Sequence, residues 1–415
     1  MLVASWLIAG ENPAGSSMNQ MMSSISDAHQ LPNFIHPVSA PPALDLNLPT
    51  VSFYYGNDGK RQAVELFLMD VCACDPVPPL LLYSSEEFDW LYEDPAFSRR
   101  WAALLIQYIS RGGTIKMIHT INRNSSEMLI ALQKWVPLYM SGAITPYYYP
   151  KLRDRVSRRT LFIAQGHAAI TANSIRQNTD GALNALICDK AAVQALELEF
   201  SHYLALCRPL MNIFTVQERA SFCENLHAFE ADETALITAA PVPSLASMSL
   251  ETAQHLAKRG GDWVLSRWES CMQSFKQQQA RGQTITEILN LPDPELVKSG
   301  KFPIPMGDLF SGSALFYTAS EFAAHLRSTL ALLRENKQYQ VLLSRGIPAN
   351  ILVYAKDDLG AMIVKLSTPS IAFAITEQRL SAAFWAYLLN IVETQKKRLH
   401  TIQVLEQYIA ELEKT

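Results

Sequence analysis

Basic side chains near glycines are the first residues whose type and spacing suggest chemistry. Lys60 and Arg61 close the segment Gly56-Asn-Asp-Gly-Lys-Arg61, which follows a strand pattern and precedes a helical one. Backbone N–H groups at a helix start can hold an anion, and two cations would add charge. The spacing is too short for a Walker A loop, and no Ser or Thr follows Lys60. An anion site and a plain tight turn both remain open.

A second candidate site combines guanidinium groups with aromatic rings. Arg158 and Arg159 precede an apolar run, and three consecutive tyrosines lie shortly before them. Alternate residues of a strand face the same side, so Tyr147 and Tyr149 can line one pocket wall, although core packing explains them equally well. Together these patterns name six residues as candidates for binding a ligand or an anion: Lys60, Arg61, Arg158, Arg159, Tyr147 and Tyr149.

Other kinds of site have little support in the sequence. None of the nine histidines has H-x-x-x-H or H-E-x-x-H spacing, and of six cysteines only Cys72 and Cys74 are close together. The acidic group around Glu86 is typical of a solvated helix face. Neither G-x-G-x-x-G nor G-x-S-x-G occurs. We therefore predict no metal, no cofactor and no enzymatic activity, and reduced thiols in a cytoplasmic protein.

The stretch Gly113–Asn173 must position most of these residues. Its pattern predicts a strand, a helix that opens at Asn124, and then three strands. Asn124 with Glu127 three residues later forms a capping-box pattern, and apolar residues recur behind it at helical spacing. The predicted strands are Thr114–Ile121, Ala143–Tyr149, Arg159–Ala164 and Ala168–Ala172.

This stretch, TIKMIH…GAITPYYYP…RRTLFIAQGHAAITANS, resembles the core half of a phospholipase-D-like domain. In that family a strand carries His-x-Lys-x4-Asp, followed by Gly. The matching positions here are Arg158, Thr160 and Gln165, with Gly166 after them. The resemblance implies the family's fold with all three catalytic positions substituted. Arg158 can still hold an anion, but an imidazole nucleophile is missing.

The opening ASWLIAGENPAG resembles the end of the recognition helix in phage-repressor-type helix-turn-helix regulators. About a dozen residues carry this likeness, and an ordinary helix that ends at Gly10 fits them equally well. The resemblance implies that the chain begins inside a DNA-binding domain and lacks most of it.

Composition sets the outer bounds. The 415 residues are 49% hydrophobic and 18% charged with a net charge of −4, which predicts a soluble globular chain of two to three domains. Net acidity argues against a surface that coats nucleic acid. The sequence predicts an α/β fold, with α+β as the alternative, in four parts. They are a remnant helix and linker (1–49), a phospholipase-D-like half (50–188), a helical connector (189–305) and a second half with a long C-terminal helix (306–415).

The C-terminal helix carries apolar residues at three and four spacing beyond Glu393. About three heptads suit either a coiled coil between two subunits, which we favour slightly, or a helix lying on its own domain. We predict the effector region of a bacterial transcriptional regulator. It would sense an unknown small ligand without catalysis, contact DNA only through the missing N-terminal domain, dimerise through the last helix and avoid membranes. The alternatives are a degenerate phosphodiesterase and a structural interaction protein.

Overall fold

The computed structural model describes residues 17–28, 48–86, 89–120, 133, 135–136, 138–151, 156–176, 178–394 and 398–414. These residues form two compact units: residues 28–212, and residues 18–27 with 213–414. The predicted helix end within residues 1–16 and the predicted helix opening at Asn124 lie outside the described residues. The four-part division of the chain stays a prediction.

The first unit contains eight strands and four helices among its described residues. In chain order they are β1 (Val51–Tyr55), α2 (Gly56–Ala73), β2 (Leu80–Ser84), α3 (Asp89–Tyr92), α4 (Pro95–Ser110), β3 (Ile115–His119), β4 (Ile144–Tyr148), β5 (Ser157–Ala164), β6 (Ala168–Ile175), β7 (Leu183–Ile187), α5 (Lys190–Leu204) and β8 (Arg208–Pro209). The helix α1 (Ser17–Asp27) precedes them and belongs to the second unit.

The strands of the first unit form one mixed sheet. Their order in the described part is β1-β7-β6-β5-β2-β3-β4-β8. Strands β2, β3 and β4 run parallel, while β5, β6 and β7 follow as antiparallel neighbours. Helices cover both faces, since α2 packs on β1, β6 and β7 and α5 packs on β5 and β6.

The second unit contains a second sheet. Its elements are β9 (Asn212–Phe214), α6 (Arg219–Ala231), β10 (Leu236–Ala240), α7 (Leu250–Gly260), α8 (Trp263–Ala280), β11 (Ile285–Leu289), α9 (Pro294–Lys298), α10 (Gly307–Ser311), α11 (Ala319–Glu335), β12 (Tyr339–Leu343), β13 (Ile351–Lys356), β14 (Gly360–Lys365), β15 (Ile371–Ile375), α12 (Gln378–Thr394) and α13 (Arg398–Leu412). Within the described part, its seven strands have the order β12-β11-β10-β13-β14-β15-β9.

The two sheets share one topology. Three parallel strands (β2, β3 and β4, or β10, β11 and β12) lie beside an antiparallel hairpin (β5–β6, or β13–β14) and its next strand. Each hairpin closes with a three-residue turn, after the pairs Ala164↔Ala168 and Lys356↔Gly360. The middle turn residue has positive φ in both, 69° at Gly166 and 56° at Asp358. The chain is therefore a structural duplication that its letters do not reveal.

The predicted mixed α/β class, with two strand-rich halves flanked by helices, is confirmed. Two local expectations differ from the structure. Gly56 to Arg61 is not a loop, because α2 begins directly at Gly56. The segment predicted as helical from residue 189 onward also contains β10 and β11, two inner strands of the second sheet. Their short apolar runs lie between strong helical patterns, where a buried strand has little periodicity of its own.

The last helix packs on its own unit. Leu405, Ile409 and Leu412 on α13 are buried in the core of the second unit, against α9, α11 and β12. The structure matches the second of the two predictions for this helix, in which it lies on its own domain. The apolar face that a coiled coil between subunits would need is buried within the unit. In the described part of the chain, no helix combines the length and the apolar character needed to cross a bilayer.

Candidate functional site

Strand β5 carries the residues that the phospholipase-D resemblance singled out. Arg158 and Thr160 are two apart, so their side chains share the α2 face of the sheet, while Arg159 points to the α5 face. Gln165 follows the end of β5, on the turn to β6. Arg158 and Thr160 therefore lie together, and Gln165 lies at the opposite end of the strand. The site has two sides, one on each face of the sheet.

On the α2 face, a buried ion pair occupies the space beside Thr160. The Lys60 ammonium contacts the Glu86 carboxylate, and the two side chains are only 1% and 2% exposed. Glu86 also accepts hydrogen bonds from Thr160 Oγ1 and Ser174 Oγ, both at 2.9 Å. Burial lowers the pKa of Lys60 to about 8. We call Lys60, Glu86, Thr160 and Ser174 the buried polar cluster.

The second unit shows what this fold needs at the same places. Counted from the closing pair of each hairpin, Thr160 corresponds to Leu352 and Ser174 to Leu366. Counted from the shared start of β2 and β10, Glu86 corresponds to Val242. All three of these residues are buried and apolar. Apolar side chains fill these positions in the second unit. The shared topology therefore does not itself require an ion pair in the first unit.

On the α5 face, Arg159 lines a cavity of about 350 Å³ at the carboxyl end of β2. Its guanidinium donates to Glu199 Oε2 at 2.7 Å and to Asn173 Oδ1 at 3.3 Å. The buried Nε of Arg159 makes no hydrogen bond among the described residues. The cavity is lined by Tyr83, Ser85, Ser157, Arg159, Leu161, Glu199, Phe200 and Tyr203.

Aromatic rings form the apolar side of this cavity. Tyr83 and Tyr203 meet edge to face, with ring centroids 5.1 Å apart. Tyr149 lies against Tyr203 at 5.7 Å, and Tyr147 packs on the core below Tyr83. The structure thus brings three of the six predicted residues, Arg159, Tyr147 and Tyr149, to one side of the sheet. A guanidinium beside aromatic faces suits a ligand that has both an anionic group and a planar ring.

Segment 84–86 joins the two sides. The Ser85 carbonyl accepts from Arg158 Nη1 at 2.7 Å, and Ser85 Oγ accepts from the Arg159 backbone N–H at 2.8 Å. These bonds fix the start of β5 against the end of β2, where the cavity opens. Arg158 is therefore a support for the cavity wall in this structure.

The remaining two predicted residues are engaged by carboxylates. Lys60 is held inside the buried polar cluster. Arg61 donates to the Trp90 carbonyl at 2.8 Å and forms ion pairs with Asp58 and Glu93. Both cations thus lie on α2 with partners supplied by the same unit.

Sequence reasoning missed the carboxylates of both sides. Glu86 was placed in a solvated acidic group, yet it is buried, because the chain leaving β2 turns it toward α2. Glu199 and Tyr203 lie one helical turn apart on α5, a spacing that puts them on the same face. That spacing was the available signal, but nothing in the letters places this face over Arg159. Among the described residues, no group of three or more His, Cys, Asp and Glu side chains could hold a metal ion.

No protein family matches the sequence, and no curated protein matches it. Three solved structures are similar in part. TrmBL2, an archaeal chromatin protein whose structure shows a novel mode of DNA binding, is 14% identical over 40% of this chain and 55% of its own, with a TM-score of 0.29. Polyphosphate kinase from Porphyromonas gingivalis is 10% identical over 82% and 50%, with a TM-score of 0.26. A yeast tyrosyl-DNA phosphodiesterase mutant is 10% identical over 80% and 91%, with a TM-score of 0.21.

The chain spans about half the length of the first two of these proteins. Identities and TM-scores this low carry no argument about ligand, substrate or partner. The prediction that the chain is not an enzyme is contradicted, because two of the similar structures are enzymes by name. A non-catalytic role is therefore not retained.

Proposed function

We propose that the chain is a regulatory effector region whose first unit binds a small anionic ligand with a planar ring in the Arg159 cavity. The observation that carries this proposal is the cavity itself, in which a guanidinium and three aromatic rings line about 350 Å³ of space. This volume lies in the usual range for small-molecule sites, which are mostly apolar with a few convergent polar groups.

The contacts of Arg159 support an anion as the charged part of the ligand. Its ion pair with Glu199 is open to solvent, since the two side chains are 29% and 49% exposed. Such a pair contributes about 0–1 kcal/mol to stability. An incoming phosphate or carboxylate can therefore replace Glu199 at little cost and can also accept from the unused Nε.

The link to gene regulation rests on the sequence. The opening ASWLIAGENPAG, which lies outside the described residues, supports a helix-turn-helix domain as the DNA-contacting part. In this proposal, ligand occupancy in the first unit sets the activity of that domain. DNA is then a partner of the N-terminal domain, and the small ligand is the partner of the cavity.

A thermal-shift screen against nucleotides, sugar phosphates and aromatic carboxylates identifies the ligand class, because binding to the native state raises the melting temperature. Anions that carry a ring should raise it more than sugar phosphates of equal charge. Each incubation is also analysed by chromatography for conversion of the compound, since a cavity that binds an ester can also act on it.

Two variants assign the binding to this cavity. Arg159→Ala should weaken binding about 10- to 100-fold, as expected for losing charge-assisted hydrogen bonds of about 1.5–3 kcal/mol. Arg100→Ala is the matched control, because Arg100 also forms an exposed ion pair, with Glu65, in the same unit. Binding that is lost equally in both variants, or in neither, would refute the assignment.

A further inference from the structure

The Arg159 cavity contains a carboxylate as well as a guanidinium. Among its lining residues, Arg159 and Glu199 carry formal charges of opposite sign, and the others are tyrosine, serine, leucine and phenylalanine. The lining is therefore neutral as a whole. A ligand that brings only an anionic group would leave the occupied cavity with a net negative charge, which is costly where water is displaced.

One oxygen of Glu199 has no protein partner. Its Oε2 accepts from Arg159 Nη2 at 2.7 Å, whereas no donor of the described chain is bonded to Oε1. An ionised carboxylate accepts several hydrogen bonds through its two oxygens and donates none. Because Glu199 is 49% exposed, water can satisfy this oxygen while the cavity is open to solvent. A bound ligand that excludes this water has to supply a donor in its place.

Helix α5 sets the distance between this carboxylate and the aromatic part of the cavity. Glu199 and Tyr203 are four residues apart on α5, which puts their Cβ atoms about 5–6 Å apart on one face. The Tyr203 ring contacts Tyr83, with ring centroids 5.1 Å apart. A ligand ring held against these tyrosines therefore has Glu199 within reach of a group that a short linker joins to the ring.

The second unit shows that the fold does not require these groups. Counted from the closing pair of each hairpin, Arg159 corresponds to Ile351. Counted from the shared start of β2 and β10, Tyr83 corresponds to Ala239. Both Ile351 and Ala239 are fully buried. The same topology thus forms with small or apolar side chains at both positions, so the guanidinium and the ring of the first unit are available for recognition of a ligand.

We infer that Glu199 is a specificity-determining residue of this cavity, which selects a ligand whose anionic group is accompanied by a hydrogen-bond donor. This inference rests on the function proposed above. The anion of the ligand takes Nη2 and the unused Nε of Arg159, and Glu199 exchanges its cation for the donor of the ligand. Each charged group then keeps a partner inside the occupied cavity.

Two kinds of compound combine a ring, an anion and a donor at this spacing. In an aromatic amino acid the donor is the ammonium group, which also keeps the occupied cavity neutral. In a ribonucleotide the donors are the sugar hydroxyl groups, which lie between the base and the phosphate. The shared chemistry is a donor for the Glu199 carboxylate beside an anion for Arg159.

Isothermal titration calorimetry with two pairs of compounds tests for the donor. Adenosine monophosphate is compared with its 2′,3′-dideoxy analogue, which lacks the sugar hydroxyl groups. Phenylalanine is compared with 3-phenylpropionate, which lacks the ammonium group. Ring and anion are the same within each pair. The wild type should prefer the donor-bearing member of at least one pair about 10- to 100-fold, as expected for hydrogen bonds to a charged group. The pair that shows the preference identifies the source of the donor.

Two variants assign the preference to Glu199. Glu199→Ala removes the acceptor from an exposed position on α5, so it should lose the preference within the pair while it still binds the anion. Glu65→Ala is the matched control, because Glu65 also forms an ion pair with an arginine, Arg100, in the same unit. This control should retain the wild-type preference.

The inference and the proposed function can fail separately. Equal affinity within both pairs in the wild type, or a preference that survives in Glu199→Ala, would overturn the inference. Either result leaves the proposed function intact if Arg159→Ala still abolishes binding of the anion. Loss of that dependence on Arg159, or failure of all four compounds to bind the wild type, would refute the proposed function and this inference with it.

Discussion

A double-mutant cycle on Lys60 and Glu86 tests how the first unit holds its ion pair. Lys60→Met leaves the Glu86 carboxylate buried without its cation, and Glu86→Leu leaves the Lys60 ammonium without its anion. Removing one partner of a buried pair costs about 3–5 kcal/mol, because the other charge stays desolvated. We expect each single variant to lose a free energy of unfolding of this size at pH 7.

Replacing both charges should cost much less. The second-unit positions equivalent to Glu86, Thr160 and Ser174 are apolar, so an apolar residue in place of Glu86 suits this topology, and Lys60→Met removes the cation that would otherwise be left alone. The hydroxyl groups of Thr160 and Ser174 lose their shared acceptor, at about 1 kcal/mol each. The double variant should therefore lose about 2 kcal/mol, far below the sum of the two single losses.

Urea denaturation followed by far-ultraviolet circular dichroism measures the three losses. Two single losses of about 3–5 kcal/mol each and a double loss of about 2 kcal/mol give an expected coupling energy of about 4 kcal/mol or more at pH 7. It should shrink at pH 9.5, because the pKa of Lys60 is about 8 and its charge is then mostly gone. Additive single losses below about 1 kcal/mol, with no change between the two pH values, would refute a dry, charged pair.

Three further predictions concern the cores of the two units. Burial lowers the pKa of His119 to about 4, so its contribution to stability is present above pH 6.5 and falls toward pH 4. Chemical unfolding should therefore show a loss of about 2 kcal/mol between pH 7 and pH 5. This loss should disappear in His119→Asn and persist in His202→Asn, whose original side chain is exposed. Burial raises the pKa of Glu287 to about 7, so this group destabilises the fold as pH rises from 4.5 to 7. The free energy of unfolding of Glu287→Gln, minus that of the wild type, should therefore be larger at pH 8 than at pH 5. The same difference at both pH values would contradict this. Leu405→Ala on α13 should lower the free energy of unfolding by about 2–5 kcal/mol without changing the sedimenting mass, whereas a change of mass would support a dimer through that helix.

Periodicity predicted much of the fold correctly. The predicted strands Ala143–Tyr149 and Ala168–Ala172 match β4 (Ile144–Tyr148) and the first part of β6 (Ala168–Ile175). Strands β10 and β11 were not predicted, because each is short and fully or nearly fully buried. A buried strand has no alternation of polar and apolar residues to reveal it. The two halves were predicted, but no repeat is visible in the letters, because the duplication is preserved in register and turn length while residues at the same position, such as Thr160 and Leu352, differ in polarity.

The candidate site could be predicted only in part. Arg159 and the tyrosines were visible as residue types, since a strand register alone puts Tyr147 and Tyr149 on one side. Their partner Glu199 comes from a helix about forty residues later, and only the packing of α5 on β5 brings it to Arg159. Glu86 was predicted to lie on a solvated helix face, and Lys60 was predicted to lie in an anion site or a tight turn. Their burial could not be predicted, because each charge is buried only with the other beside it.

Binding of adenosine monophosphate and of uncharged adenosine, measured by isothermal titration calorimetry, tests the Arg159 cavity most directly. The ring is the same in both compounds, so the difference in affinity isolates the anionic group. We predict that the wild type and Arg100→Ala prefer the monophosphate about 10- to 100-fold and that Arg159→Ala loses this preference. Equal affinity for both compounds in the wild type, or a preference that survives in Arg159→Ala, would contradict the account.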